Sequence, residues 1–312
     1  MKKVLAVVLM CLATVVSAQT FPSKPVKIIT SLPVGSGPDN ISRKLSEKLA
    51  AKWGVPVIVE NKPGGNGAVA FGAYAEAADD GYTLLSGDAG NFVGYPILYN
   101  KPEALSNIEP LTGQNMTNIM LVVSPGVKDF ADLRARVKEK PMFASGGVGS
   151  PMHLEGLELA SYFKVDATHI AYKDYGMMWI DTANGLIPYT FAAIGSTQQL
   201  QQAGKLKYLA IAGRTRHPDY PDVPTLNELT GQNNDFLRAW VVFYIKKNAP
   251  ATAKAKLVKD ISEVMQTPEL QGMLKTLGYR YPPAQPADLQ KFVDGETAHF
   301  NKMVKKYNVS VQ

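Results

Sequence analysis

The sequence predicts an α/β protein built as two lobes around a cleft, and three observations carry that prediction. β-Branched strands alternate with helical segments through most of the 312 residues, the pattern of a parallel sheet. Three strands in succession end in small-residue loops, the position where ligands sit in such sheets. The order strand, glycine loop, proline, helix that opens at Val26 is repeated at Met142. A chain of this length has room for two domains with a substantial core.

In the first unit, Val26, Ile28 and Thr30 alternate with Lys27, Ile29 and Ser31 as a strand does. The turn Pro33-Val34-Gly35-Ser36-Gly37-Pro38 follows, and its glycines let backbone N–H groups come close to a bound group. Asp39 or Asn40 can cap the next helix, where Ile41, Leu45 and Leu49 fall at helical spacing. Orphan N–H groups and the positive end of the helix dipole make this turn a seat for a carboxylate or phosphate. Residues 57–60 read as a second strand, and 61–67 as the next glycine loop, which puts Asn66 among the candidate contacts. A third strand at 82–85 runs into Ser86-Gly87-Asp88-Ala89-Gly90. Residues 91–110 read as irregular. Residues 119–123 read as a strand broken by Ser124-Pro125-Gly126, where the first crossing between lobes is placed.

The second unit has its strand at 142–145, ending in Ser145, and its loop at Gly146-Gly147-Val148-Gly149-Ser150-Pro151. Pro151 suits the first helical position, and His153 lies in that first turn. Strands at 169–172, 188–193 and 207–212 follow, the first leading into Lys173-Asp174-Tyr175-Gly176. The extended stretch 240–245 carries the chain back, and three amphipathic helices opening on Pro250, Pro268 and Pro286 complete it.

Lys2 and Lys3, an apolar run over 4–16 and Val16-Ser17-Ala18 read as a cleaved secretory signal peptide, residues 1–18. Its removal would leave 31 basic residues against 27 acidic, a charge of +4, scattered and not drawn into a nucleic-acid stripe. Cys11, the only cysteine, lies in that segment, so the mature chain has no disulfide, thiolate metal site or cysteine nucleophile. There is no G-x-S-x-G, H-E-x-x-H or P-loop, and His153, His169, His217 and His299 do not stand at metal-ligand spacing. Gly65-Asn66-Gly67-Ala68-Val69-Ala70 fits a dinucleotide fingerprint. Its expected acid, Asp88, lies beyond a further strand, and an exported protein meets little NAD. Among aromatic residues near loop ends, Tyr175 is the best contact candidate.

FPSKPVKIITSLPVGSGPDN, VIVENKPGGNGAVA, ADDGYTLLSG, FASGGVGSPMHLEG, HIAYKDYG and PDVPT occur in this order. On them the chain resembles the Bug-type (Bordetella uptake gene) extracytoplasmic solute receptors of tripartite tricarboxylate transporters. The resemblance implies a periplasmic-binding-protein fold: a hinged trap of two α/β lobes with two crossing strands. Lobe 1 would comprise 19–123 and 241–312, and lobe 2 would comprise 124–240, with hinges near Ser124 and Trp240. It implies a periplasmic monomer that is no enzyme, needs no cofactor or metal, binds no nucleic acid and works with membrane permease subunits. A sensor docking on a membrane kinase and an exported α/β enzyme are the alternatives.

The resemblance further implies a carboxylate held by Val34, Gly35 and Ser36 on one side and Gly147, Val148, Gly149 and Ser150 on the other. Ser86, Gly87 and the loop from Tyr172 through Asp174 to Tyr175 would line the rest. Gly37, Asp39, Asn66, Ser145 and His153 complete the candidate set. The chain departs from the family where Val34, Ser36 and Pro38 stand in the first loop and Asp174 and Tyr175 in a usual glycine position. Pro188 also stands where an aspartate is usual. These departures weigh against a plain dicarboxylate and leave an amino-bearing or aromatic monocarboxylate open.

Overall fold

The computed structural model describes residues 21–282 and 285–311, which fold on two five-stranded sheets. The signal peptide read over residues 1–18 lies outside the described residues. The first sheet holds β1 (Val26–Thr30), β2 (Val57–Asn61), β3 (Thr83–Asp88), β4 (Ile108–Thr117) and, from late in the chain, β10 (Ala239–Lys246), in the order β2-β1-β3-β10-β4. The second holds β5 (Ile119–Val123), β6 (Met142–Ser145), β7 (Thr168–Ala171), β8 (Thr190–Ala193) and β9 (Lys207–Ala212), in the order β7-β6-β8-β5-β9. β1 is parallel to both neighbours, and so is β6. The strands that connect the lobes run antiparallel to theirs.

Both sheets are covered on both faces, as their near-continuous apolar strands require. Ile28 packs with Ile41, Leu45 and Leu49 of α1 (Gly37–Trp53) on one face of the first sheet, while Ile29 joins Tyr74, Phe92 and Trp240 on the other. In the second sheet Leu121 and Met120 divide the faces in the same way. The glycine turn after β2 leads into α2 (Ala68–Ala75), α3 (Phe130–Glu139) precedes β6, and α4 (Pro151–Phe163) follows it. α5 (Tyr175–Ala183) and α6 (Ile194–Gln202) follow β7 and β8, and α7 (Ala251–Met265), α8 (Pro268–Thr276) and α9 (Pro286–Lys306) close the chain. Among the described residues no helix is long and apolar enough to cross a membrane.

Two sequence expectations change. Residues 108–117, read as partly irregular and unassigned, form β4, the longest strand. β4 is an edge strand, where Pro110 costs no ladder bond between neighbours, and its buried Thr112 and Gln114 are satisfied by side-chain hydrogen bonds. The crossing also moves. Residues 119–123 pair with β8 and β9, so the chain changes sheets at Asn118 and not at Ser124. Asn118 Nδ2 lies against Gly213, the residue after β9 ends, 2.7 Å from where a Cβ would stand. The returning strand β10 starts at Ala239, paired with Thr117 just before the outgoing crossing, so the two crossings lie side by side.

Candidate functional site

β1 and β6 each end in a loop that contains Val-Gly-Ser, and the two loops share one hydrogen-bond plan. Gly35 and Gly149 both have left-handed φ, 80° and 76°, which a side chain would strain. Ser36 and Ser150 are the N-caps of α1 and α4, and their hydroxyls accept from Asp39 N at 3.3 Å and His153 N at 3.2 Å. Asp39 and His153 reach back in turn: Asp39 Oδ2 accepts from Gly35 N at 2.8 Å, and His153 Nδ1 accepts from Gly149 N at 3.0 Å. This is the reciprocity of a capping box, displaced by one residue. Ser36 N and Ser150 N are taken by the carbonyls of Pro33 and Gly147. Among the described residues, the N–H groups of Val34 and Gly37 in the first lobe, and of Val148 and Met152 in the second, have no acceptor. They are the donors of the two helix starts, positions that favour an anion.

Buried polar groups hold the loops rigid. Asp39 also accepts from Asn61 Nδ2 at 2.8 Å and Arg43 Nε at 3.0 Å. Burial alone would raise its pKa, and these bonds outweigh that and hold it lowered. Behind the second loop His153 and His169 pack with ring centroids 4.0 Å apart. Burial pushes His153 down to about 3, helped by His169, and burial pushes His169 down to about 4. Both rings are therefore neutral, which leaves His153 Nδ1 free to accept from Gly149.

Further residues lie against the two loops. Leu98 lies under Gly149, and the Gly149 carbonyl faces Gly94, so the second loop rests on the segment after β3. On the side of the crossings Tyr279 stands between Gly37 of the first lobe and Gly195 of the second. A Cβ at Gly37 would lie 3.1 Å from the Tyr279 hydroxyl, and burial pushes that phenol up to about 12. Asn91 accepts from the Ser31 hydroxyl and packs on Gly67. Asp88 ends β3, half-buried, with Oδ1 accepting from Asn91 N at 3.0 Å. Opposite it, Tyr175 lies with its hydroxyl on Gly146 and its ring tilted on Trp179, 5.9 Å between centroids.

The family model for the tripartite tricarboxylate transporter family receptor matches residues 41–309. The chain belongs to that receptor family. Among curated relatives of the receptor is the protein BugT of Bordetella pertussis, 28% identical, with 98% of each chain covered. Its fold is shared by MatC from Rhodopseudomonas palustris with bound malate (TM-score 0.77, 25% identity, 91% of this chain and 100% of that one). It is also shared by the periplasmic binding protein BugD (TM-score 0.79, 27% identity, 94% and 100% covered).

In this receptor the sequence-derived candidates divide into two groups. Val34, Gly35, Ser36 and Gly37 lie at the start of α1 and Gly147, Val148, Gly149 and Ser150 at the start of α4, with Val34 72% and Val148 37% exposed. Gly87 is buried against Phe92 and the Ser31 hydroxyl, and Asn66 lies in the 3-10 turn Gly65–Gly67. Tyr175 keeps an exposed ring with its hydroxyl against Gly146, and the polar groups of the others have protein partners. Asp39 and His153 organise the loops rather than offering a free side chain. Ser86 is fully buried, its hydroxyl on Gln114 Oε1 at 3.2 Å. Ser145 lies beneath the second loop, bonded to Gly147 and to His169 Nε2 at 2.7 Å. The Tyr172 hydroxyl donates to Asp181 at 2.5 Å. Asp174, expected to choose the far end of a ligand, is instead the N-cap of α5, accepting from Gly176 N at 2.7 Å and Met177 N at 3.3 Å.

The residues that sequence reasoning missed are Asn91, Tyr279 and, as a carboxylate with one oxygen unpartnered among the described residues, Asp88. Asp88 carried one visible signal, its place at the carboxyl end of a predicted strand. Tyr279 carried none, because α8 and the turn after it bring it to Gly37 from the far end of the chain.

Proposed function

We propose that this receptor is a periplasmic solute-binding protein that seats a small carboxylate between its two Val-Gly-Ser loops. The single observation that carries the reading is the matched pair of helix starts, each with two N–H groups lacking an acceptor. Charge-assisted hydrogen bonds from both lobes to one carboxylate gain strength when closure excludes water. Because each lobe supplies half of the donors, the ligand favours the closed state, with the crossings at Asn118 and just before Ala239 as the hinge. The malate bound by MatC supports a carboxylate here. The signal peptide read in the sequence supports export, and family membership supports delivery of the closed form to membrane permease subunits. No residue of the cleft is needed as a nucleophile or base, and the receptor acts without a cofactor.

The test is thermal melting of the mature protein, unfolded and refolded to strip carried-over ligand, against di- and tricarboxylates, amino-carboxylates and aromatic acids. A ligand at 100 times its Kd adds about 2.7 kcal/mol. A shift with one carboxylate class and none with the matching amides supports the reading. A flat response to every carboxylate refutes it.

A further inference from the structure

From the far side of the cleft we infer that the ligand is not a plain dicarboxylate but carries a cationic nitrogen at its other end, received by Asp88. This rests on the carboxylate seat proposed above and names what lies opposite the seat. Asp88 stands at the carboxyl end of β3, one strand over from the loop that bears Val34 and Gly37, on the same edge of the first sheet. Its Oδ1 is taken by the Asn91 N–H, and Gly90 closes on the same oxygen. Oδ2 has no hydrogen-bond partner among the described residues and is not among their sealed, unpartnered atoms. No Lys, Arg or His among the described residues lies within ion-pair distance of it. Burial raises the pKa of Asp88, and with no counter-charge beside it among the described residues its carboxylate form is favoured by a cationic ligand group and disfavoured by a second carboxylate.

Tyr175 completes the wall. It is 45% exposed, projects from the second lobe over Gly146, and is close enough for the Asp88 charge to add to burial in raising its pKa. A ligand held at the helix starts thus meets a tyrosine face and an acidic group at its other end. An ammonium suits both, pairing with the carboxylate and resting on the ring. The two ends of the site differ in sign, so the length of the ligand and its polarity are read together. Asp174 is the other acid of this region, but it is exposed on the second lobe with Oδ1 capping α5, whereas Asp88 is half-buried at the end of β3.

The decisive comparison uses pairs of equal length: 4-aminobutyrate with glutarate, β-alanine with succinate, and 4-(aminomethyl)benzoate with terephthalate. Affinities are measured by calorimetry on refolded wild type and on Asp88→Asn. In at least one pair the amine should bind wild type about tenfold or more tightly than its dicarboxylate. Asp88→Asn, which keeps the acceptor for Asn91, should bring that ratio to about unity or invert it. If in every pair that binds the dicarboxylate is as tight as its amine, the inference is overturned and the carboxylate seat stands. An unchanged ratio in a folded Asp88→Asn removes Asp88 from the selection and overturns it too. If no carboxylate of any pair binds, the proposed function fails and this inference fails with it.

Discussion

Replacing Asp39 by asparagine tests whether one buried carboxylate sets the shape of the first anion seat. The substitution keeps volume and shape but turns one acceptor oxygen into a donor. In the native loop Oδ2 takes Gly35 N and Arg43 Nε, and Oδ1 takes Asn61 Nδ2, on a side chain with no exposed surface. An asparagine oriented to accept from Gly35 turns its amide toward the Asn61 amide, donor against donor. The reverse orientation opposes Gly35 and Arg43. Either way one or two bonds to a charged group are lost, each worth roughly 1.5–3 kcal/mol. Arg43 is half-exposed and recovers water, so the net cost is about 2–4 kcal/mol. For a chain of this size that is a fall in melting temperature of roughly 5–12 °C. The folded pKa of Asp39 is lowered below its ordinary 3.8. Its stabilisation is therefore complete above that value and is lost as pH falls through the folded pKa. The gap between wild type and variant should hold from pH 7 to about pH 4 and close below it. Carboxylate affinity should fall about tenfold, because Gly35 no longer fixes where Val34 and Gly37 point. Equal melting temperatures at pH 7 together with equal affinity would refute the role assigned to Asp39.

Two further outcomes concern buried titratable groups. His153 and His169 are held neutral, at about 3 and about 4 against an ordinary 6.5, so the unfolded chain takes up protons first and stability falls as pH drops from 6.5 toward 3. His153→Gln, whose amide oxygen can accept from Gly149, should flatten that fall in urea melts; an unchanged slope would show that His153 does not carry it. Glu155 is buried with Oε1 on Leu237 N and Oε2 unpartnered, and burial raises it from 4.5 to about 8. The native state therefore holds its proton above pH 4.5, and stability falls as pH rises from there through about 8. Glu155→Gln should gain on wild type at pH 9 and not at pH 5, and a gain that is equal at both would argue against a titrating Glu155.

The sequence by itself determined what depends on near neighbours along the chain. The alternation at Val26–Thr30, the turn at Val34-Gly35-Ser36 and its copy at Val148-Gly149-Ser150 were all legible. So was the helix register of Ile41, Leu45 and Leu49, because the bonds that make these features span only a few residues. Both helix starts could be read as anion seats for the same reason. Tertiary structure decided which polar side chain belongs to the framework and which to the cleft. Asp39, Asp88 and Asp174 are alike in sequence, each an acid next to a small-residue turn. Only packing gives Asp39 its Asn61 partner from the next strand, leaves Asp174 exposed as the cap of α5, and half-buries Asp88 with one oxygen open. The crossing at Asn118 and the edge position of β4 were hidden likewise, since strand order depends on partners far apart in the chain. Tyr279 is the limiting case: its place between Gly37 and Gly195 exists only once the carboxy-terminal helices have packed against the first sheet, and no local spacing encodes that.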